Sequence, residues 1–220
     1  MIKLVIFDWN GVLIADTRAC LEADNYILKE FGGKPVSLKV YKDTIIIPSI
    51  NFYTMHGANE RKLKRDTKAY GEIFHRYYER RTANIRTRRG AKRLLQWLKD
   101  NSIESVILSN HLVSDIESKL KKLELEAYFS SILANPGKAT SLVKRNKLEK
   151  LRHYLKGKGH KKDEVLIIGD SPEETEIGKS IGIKTASITG GYYATWRLKK
   201  AKPDYIVGNL ADLVNFLCMP

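Results

Sequence analysis

Residues 1–13 read MIKLVIFDWNGVL: a short apolar run, Ile2–Phe7, that stops at an aspartate, with a glycine three positions on. A run apolar at every position but Lys3 suits a strand buried on both faces, the kind found inside a parallel sheet. Further along the chain, similar runs recur at Ser105–Leu108, Ile132–Ala134, Val165–Ile168, Thr185–Ile188 and Tyr205–Val207. Helical patterns separate most of them, for example Gly90–Asp100 and Val113–Leu123. The second places Val113, Ile116, Leu120 and Leu123 at three- and four-residue spacing. Such alternation predicts an α/β fold: right-handed crossovers and a parallel sheet covered by helices on both faces. In these sheets ligands bind beyond the C-terminal ends of the strands.

One segment interrupts the alternation. Between about Ala15 and Ala83 the only strand-like run is Thr44–Ile47, and both ends read as helix, over Cys20–Phe31 and Thr67–Arg81. Gly32 and Gly33 supply a stop for the first. The segment reads as a mostly helical insertion placed directly after the first strand. The domain division expected is therefore 1–14 with 84–220 as core and 15–83 as insertion.

Composition narrows the class. The 220 residues are 43% hydrophobic and 29% charged, as in ordinary globular proteins. No run approaches the ~18 apolar residues of a membrane span, and the N-terminus lacks the pattern of a signal peptide. Cys20 and Cys218 form no metal-ligand spacing, and a cytoplasmic location is expected. The net charge of +14 is concentrated: residues 61–100 hold 14 Lys/Arg against 4 Asp/Glu. Such a field suits either a solvated helical face or an anionic partner, a phosphorylated metabolite before a nucleic acid, since no nucleic-acid-binding motif accompanies it.

The strand ends carry the chemistry. Asp8, Trp9, Asn10 and Gly11 follow the first strand; Ser109, Asn110 and His111 follow the second; Gly169, Asp170, Ser171, Pro172, Glu173 and Glu174 follow the fourth. Two acidic groups and a hydroxyl thus project from one sheet edge, with a lysine-rich helix between the second and fourth strands. These groups suit phosphoryl transfer: a carboxylate attacks phosphorus, while hydroxyl, amide, ammonium and a hard cation hold the phosphoryl oxygens.

In this order the motifs resemble the haloacid dehalogenase superfamily. DWNGVL is similar to its first motif, DxDx(T/V)(L/V); Ser109 in VILSN to its second; a lysine near a helix start to its third; and GDSPEE to its acidic fourth, with Glu174 in place of the second aspartate. The resemblance implies a Rossmann-like core with strand order 5-4-1-2-3 and residues 15–83 as a helical cap. It also implies Asp8 as nucleophile, Mg²⁺ held by Asp8, the Asn10 carbonyl and Asp170, and phosphate bound by Ser109, Asn110 and a lysine. Lys144 is the first choice for that lysine, because an apolar helical stripe of Leu148, Leu151 and Leu155 begins just beyond it. Lys147 and then Lys138 are the alternatives.

Asn10 is the departure. Family members with aspartate there use it as general acid and base, which asparagine cannot do. Three readings follow: a phosphatase acting on a small phosphomonoester, slower or restricted to good leaving groups; other chemistry on the same scaffold, such as phosphonate cleavage using a cap lysine, of which there are several, including Lys34, Lys39, Lys62 and Lys64; or a weakly catalytic module binding phosphate or nucleic acid. The sequence favours the first, with an anionic substrate entering past a cationic cap. Arg86, Arg88 and Arg89 are candidate clamps for its leaving group. His111 reads as a packing or capping residue before a substrate-orienting one. Tyr192, Tyr193 and Trp196 either line the site or pack on the core.

Overall fold

The computed structural model describes residues 1–137, 142 and 144–218. Its centre is a six-stranded, all-parallel sheet: β1 (Leu4–Phe7), β2 (Glu104–Leu112), β3 (Ser131–Asn135), β4 (Val165–Gly169), β5 (Lys184–Ile188) and β6 (Tyr205–Val207). The spatial order is β3-β2-β1-β4-β5-β6, the expected five-strand order with β6 added beyond β5. Successive side chains of a strand point to opposite faces. Val5 and Phe7 therefore join a core with Leu94, Leu95, Leu98, Ile116 and Leu120, while Leu4 and Ile6 join one with Leu151, Ile177 and Ile183. This two-sided burial explains why the strand sequence has no polar alternation.

Helices α6 (Ala91–Asp100) and α7 (Val113–Leu123) supply the first face. Helices α8 (Lys147–Leu155) and α9 (Pro172–Ile181) supply the second. The start of α9 is locally encoded: the Ser171 hydroxyl accepts from the Glu173 amide, proline occupies the first turn, and Gly182 closes the helix at φ 78°. Two short helices, α10 (Thr195–Ala201) and α11 (Leu213–Leu217), complete the C-terminal part.

Five helices lie between β1 and β2: α1 (Thr17–Glu30), α2 (Leu38–Thr44), α3 (Ser49–Met55), α4 (Glu60–Arg65) and α5 (Thr67–Thr82). The strand-like Thr44–Ile47 run is not a strand; Ser37 caps α2 through the Val40 amide, and the helix continues to Thr44. The five helices pack around Ile27, Leu28, Tyr41, Phe52, Tyr53 and Leu63, a cluster separate from the sheet cores that meets Tyr193 and Leu198 of the α/β part. Where the segment leaves and rejoins the sheet, the two chains pair: Ala15 N–H donates to Arg86 O (3.0 Å) and Arg88 N–H to Leu13 O (2.8 Å).

β2 is longer than the sequence suggests. Its register with β3 shifts between Leu108 and Leu112, so Ser109, Asn110 and His111 occupy an irregular stretch before Leu112 pairs with Asn135. Such irregularities re-aim side chains at strand ends.

The helical segment buries a carboxylate among phenols. Asp24 accepts from Tyr53 (2.5 Å) and Tyr41 (2.7 Å), with the Cys20 thiol beside it and Tyr70 nearby; none is a cation. Burial dominates and raises its pKa from 3.8 to about 6, although the hydrogen bonds oppose the shift. Between those values the folded chain retains a proton that the unfolded chain has released. Stability from this group is thus fully present below pH ~4 and is lost as pH rises through ~6, by at most about 3 kcal/mol. Urea unfolding at pH 4.5 and 7 should show wild type losing stability relative to Asp24→Asn across this interval. A constant difference between the two proteins would contradict the assignment.

Candidate active site

Register brings the site together. Phe7 pairs with Ile107 of β2 on one side and Ile168 of β4 on the other. Asp8 is the next residue after Phe7, while Ser109 and Asp170 lie two places beyond their paired positions, so all three emerge at the same sheet edge. The Asp8 amide donates to Ile168 O (2.9 Å), holding the turn against β4. All three side chains are buried and line one cavity, together with Asn10, Asn110 and Lys147.

The lysine that the structure places at this edge is Lys147, the second choice from sequence, and not Lys144. α8 begins at Lys147 with Asn146 as its cap, not at Lys144, so Lys147 falls in the first turn facing the sheet edge. Its Nζ lies 2.9 Å from Asp8 Oδ1 and 2.6 Å from Glu174 Oε1. Lys144 is exposed before the helix, and Lys138 lies outside the described residues. Glu174 is fully committed: Oε1 takes Lys147, and Oε2 accepts the Ser171 hydroxyl at 2.6 Å. Gly169 makes room for it, since a Cβ there would fall 2.2 Å from Glu174 Cγ.

The electrostatics are those of crowded acids. Burial, and secondarily the charge of Asp8, raises the Asp170 carboxyl well above its usual range. Burial likewise raises Asp8, against the lowering effect of Lys147. Two buried carboxyls, both raised by burial and one raised further by the other's charge, suit a hard divalent cation. Glycines let the backbone close on this carboxylate: a Cβ on Gly11 would lie 2.1 Å, and on Gly191 1.9 Å, from Asp170 Oδ2. The carboxylate oxygens of Asp8 and Asp170 are donors of the kind Mg²⁺ takes.

Ser109 has its oxygen fixed, because Oγ accepts from the His111 amide at 3.0 Å and its own proton is left for another acceptor. Lys150, which sequence reading missed, donates to Ser109 O (3.0 Å) and Asn135 Oδ1 (2.5 Å). Burial, then repulsion from Lys147, lowers its pKa to about 8. Asn110 donates to Glu173 Oε2 at 3.3 Å.

Asn10 faces a partner that the sequence did not announce. Its Nδ2 donates to Asp16 Oδ2 at 2.6 Å and to the Tyr78 hydroxyl at 2.8 Å. The buried Asp16 also accepts from Tyr78 (2.5 Å), Tyr192 (2.8 Å) and the Gly11 amide (2.8 Å). Asn10 is thus a required donor in a carboxylate-centred network; an aspartate would oppose Asp16 directly.

The remaining candidates separate by position. Arg88 donates to the Gly11 and Thr189 carbonyls and so braces the turn, while Arg86 and Arg89 are exposed. Tyr192 and Tyr193 line the cavity; Trp196 is 55% exposed and donates to Asp43. Lys34, Lys39, Lys62 and Lys64 are exposed and do not line the cavity. Several basic groups of 61–100 are instead paired, including Lys64 with Glu60 and Arg65 with Asp66.

Asn10→Asp should therefore destabilise the fold by about 2–4 kcal/mol near neutral pH, by setting a second carboxylate against the buried Asp16. Adding Asp16→Asn to that variant should recover more than half of the loss, because donor and acceptor are then exchanged. A double-mutant cycle by urea unfolding measures this coupling, and simple additivity would refute it.

The haloacid dehalogenase-like hydrolase family matches residues 5–188 of the chain. A phosphoglycolate phosphatase of Aquifex aeolicus (strain VF5) is 26% identical, with 98% of this chain and 96% of the relative aligned. The pyrophosphatase PpaX of Bacillus cereus (strain AH820) is 23% identical over 98% and 96% of the two chains. A haloacid dehalogenase-like family hydrolase from Streptococcus pneumoniae has the same fold, with a TM-score of 0.75 at 19% identity over 98% of both chains. With β1, β2 and β4 presenting their polar ends at one edge and most of the chain matched, this protein belongs to the haloacid dehalogenase-like hydrolases.

Proposed function

We propose that the protein is a Mg²⁺-dependent phosphatase that hydrolyses a small phosphomonoester through a phosphoryl group carried on Asp8. The observation that carries this reading is the buried Asp8 carboxylate held on one oxygen. Oδ1 is bonded by the Trp9 amide at 2.8 Å and by Lys147 at 2.9 Å, which orients Oδ2 for attack. A bond from this oxygen to phosphorus forms as the bond to the leaving oxygen breaks, and water then releases phosphate. The Ser109 hydroxyl and the Lys147 ammonium bind the phosphoryl oxygens, and Glu174 positions Lys147. Mg²⁺, held by Asp8, the Asn10 carbonyl and Asp170, would offset the phosphoryl charge.

Asn10 supplies no proton to the leaving group. The Tyr78 and Tyr192 phenols are no substitute, because burial first, and then the charge of Asp16, raises both well above the usual range. The rate therefore falls on the leaving group's own acidity, a handicap of ~10²–10⁴ for alkyl esters.

Residues 15–83 act as a cap, and they shape the part of the substrate beyond phosphate. Tyr41, Ile45, Tyr53 and Phe74 line the cavity beside the carboxyl of Asp24, and Lys147 is the one Lys or Arg in the lining among the described residues. An uncharged leaving group with an aromatic or apolar body suits this wall better than a carboxylate or a second phosphate. The phosphoglycolate and pyrophosphate that name the relatives are therefore poorer matches. Phosphonate cleavage through a cap lysine draws no support from this lining. A cytoplasmic setting accords with two unpaired cysteines, and no helix among the described residues is long and apolar enough to cross a membrane.

Hydrolysis of p-nitrophenyl phosphate with Mg²⁺ tests the reading. Activity should vanish in Asp8→Asn, fall about 10²–10³-fold in Lys147→Met, and stay within a factor of about two in Lys144→Met, at an exposed position. The aryl ester should surpass phosphoglycolate in kcat/KM. Full activity in Asp8→Asn would overturn the mechanism; a preference for phosphoglycolate would overturn only the substrate class.

A further inference from the structure

A second constellation lies where α5 crosses the end of β2 and the start of α7. α5 carries His75 and Glu79 one turn apart, and His111 and Asp115 are likewise four residues apart on the β2–α7 junction. Residues at this spacing on a helix share a face. Four potential ligand atoms, one from each side chain, lie within 4.8 Å of one another. His75 Nδ1 is 3.3 Å and His111 Nε2 3.5 Å from Asp115 Oδ2, and His111 Nε2 is 3.6 Å from Glu79 Oε1.

These contacts are longer than charge-assisted hydrogen bonds. His75 Nδ1, Glu79 Oε1, His111 Nε2 and Asp115 Oδ2 are all buried without a hydrogen-bond partner, and the two histidines are more than nine-tenths buried. Charged nitrogen–oxygen hydrogen bonds close to about 2.7–2.9 Å. Ligands about 2.0–2.1 Å from a tetrahedral ion stand about 3.3–3.4 Å apart, near the separations found here. Buried polar atoms otherwise find partners, so four orphans facing one point indicate a shared ligand.

We propose that His75, Glu79, His111 and Asp115 form a tetrahedral binding site for a divalent transition metal of the Zn²⁺ class, separate from the carboxylate centre at Asp8. Two imidazoles with two carboxylates suit zinc, whereas Mg²⁺ favours all-oxygen surroundings with retained water. Lys119 bonds the other Glu79 oxygen, Oε2, and so aims Oε1 at the site, as outer partners of metal ligands do. Four protein ligands make a closed, structural site. It clamps the last helix of the helical segment to the strand end that carries Ser109 and Asn110.

Cobalt substitution tests this. The full chain is stripped with a chelator and titrated with Co²⁺ in excess Mg²⁺. The wild type should develop the intense visible absorption of tetrahedral Co²⁺, saturating at one equivalent and displaced by Zn²⁺. Asp8→Asn should keep that band, while His75→Gln and Asp115→Asn, each near-isosteric, should lose it. Saturating Zn²⁺ should raise the melting temperature of the wild type by roughly 5 °C and leave those two variants unmoved. A weak octahedral spectrum in the wild type, a band that survives in both variants, or a band that disappears in Asp8→Asn would overturn the proposal.

Discussion

The register of β1 between β2 and β4 is the constraint on which the rest of this molecule depends. Phe7 pairs with Ile107 on one side and Ile168 on the other, and the residues following each strand therefore leave the sheet together. A parallel sheet tolerates little slippage here. With both faces buried, a shift of one residue would turn every side chain to the opposite core. The packing that selects Val5 and Phe7 for one face, and Leu4 and Ile6 for the other, therefore also sets the height of Asp8 above Ser109 and Asp170. Core and chemistry share one specification.

Charge balance at that edge follows from burial. Asp8, Asp170, Glu173 and Glu174 are all at least nine-tenths buried, and Lys147 is the ammonium ion-paired with Asp8 and Glu174. An unpaired carboxylate in such a place is costly, and an ammonium shared by two of them offsets part of that cost. The remaining excess of acid at Asp8 and Asp170 would be offset by a hard cation. Asn10 belongs to the same balance. A neutral amide that donates to Asp16 and Tyr78 adds no further negative charge to a region already crowded with it.

The basic surplus of the chain works elsewhere. Residues 61–100 hold much of it, yet Lys64 and Arg65 pair with neighbouring acids and Arg88 braces backbone carbonyls. The cavity under the five helices is walled instead by phenols, isoleucine, phenylalanine and the Asp24 carboxyl. Net charge describes the whole surface, whereas substrate selection depends on the few groups that converge on the ligand.

By itself the sequence determined the α/β alternation, the position of the helical insertion, and the placement of Asp8 and Asp170 after their strands, while Ser109 falls within a β2 that runs on to Leu112. These features are local: apolar runs of strand length and the residues that end them are adjacent along the chain. The helical identity of Thr44 was misread for the same reason, since a short β-branched run suits either state until capping and packing decide. Only the tertiary structure selected Lys147 over Lys144, because three residues of chain shift a side chain from solvent to the sheet edge once the helix start is set at Asn146. Only there did Asp16 meet Asn10, and His75 and Glu79 meet His111 and Asp115, across separations of six residues in the one case and 36 in the other. Spacing within an element repeats with its period and can be read, but the meeting of two elements depends on how their buried faces pack, which no local pattern encodes.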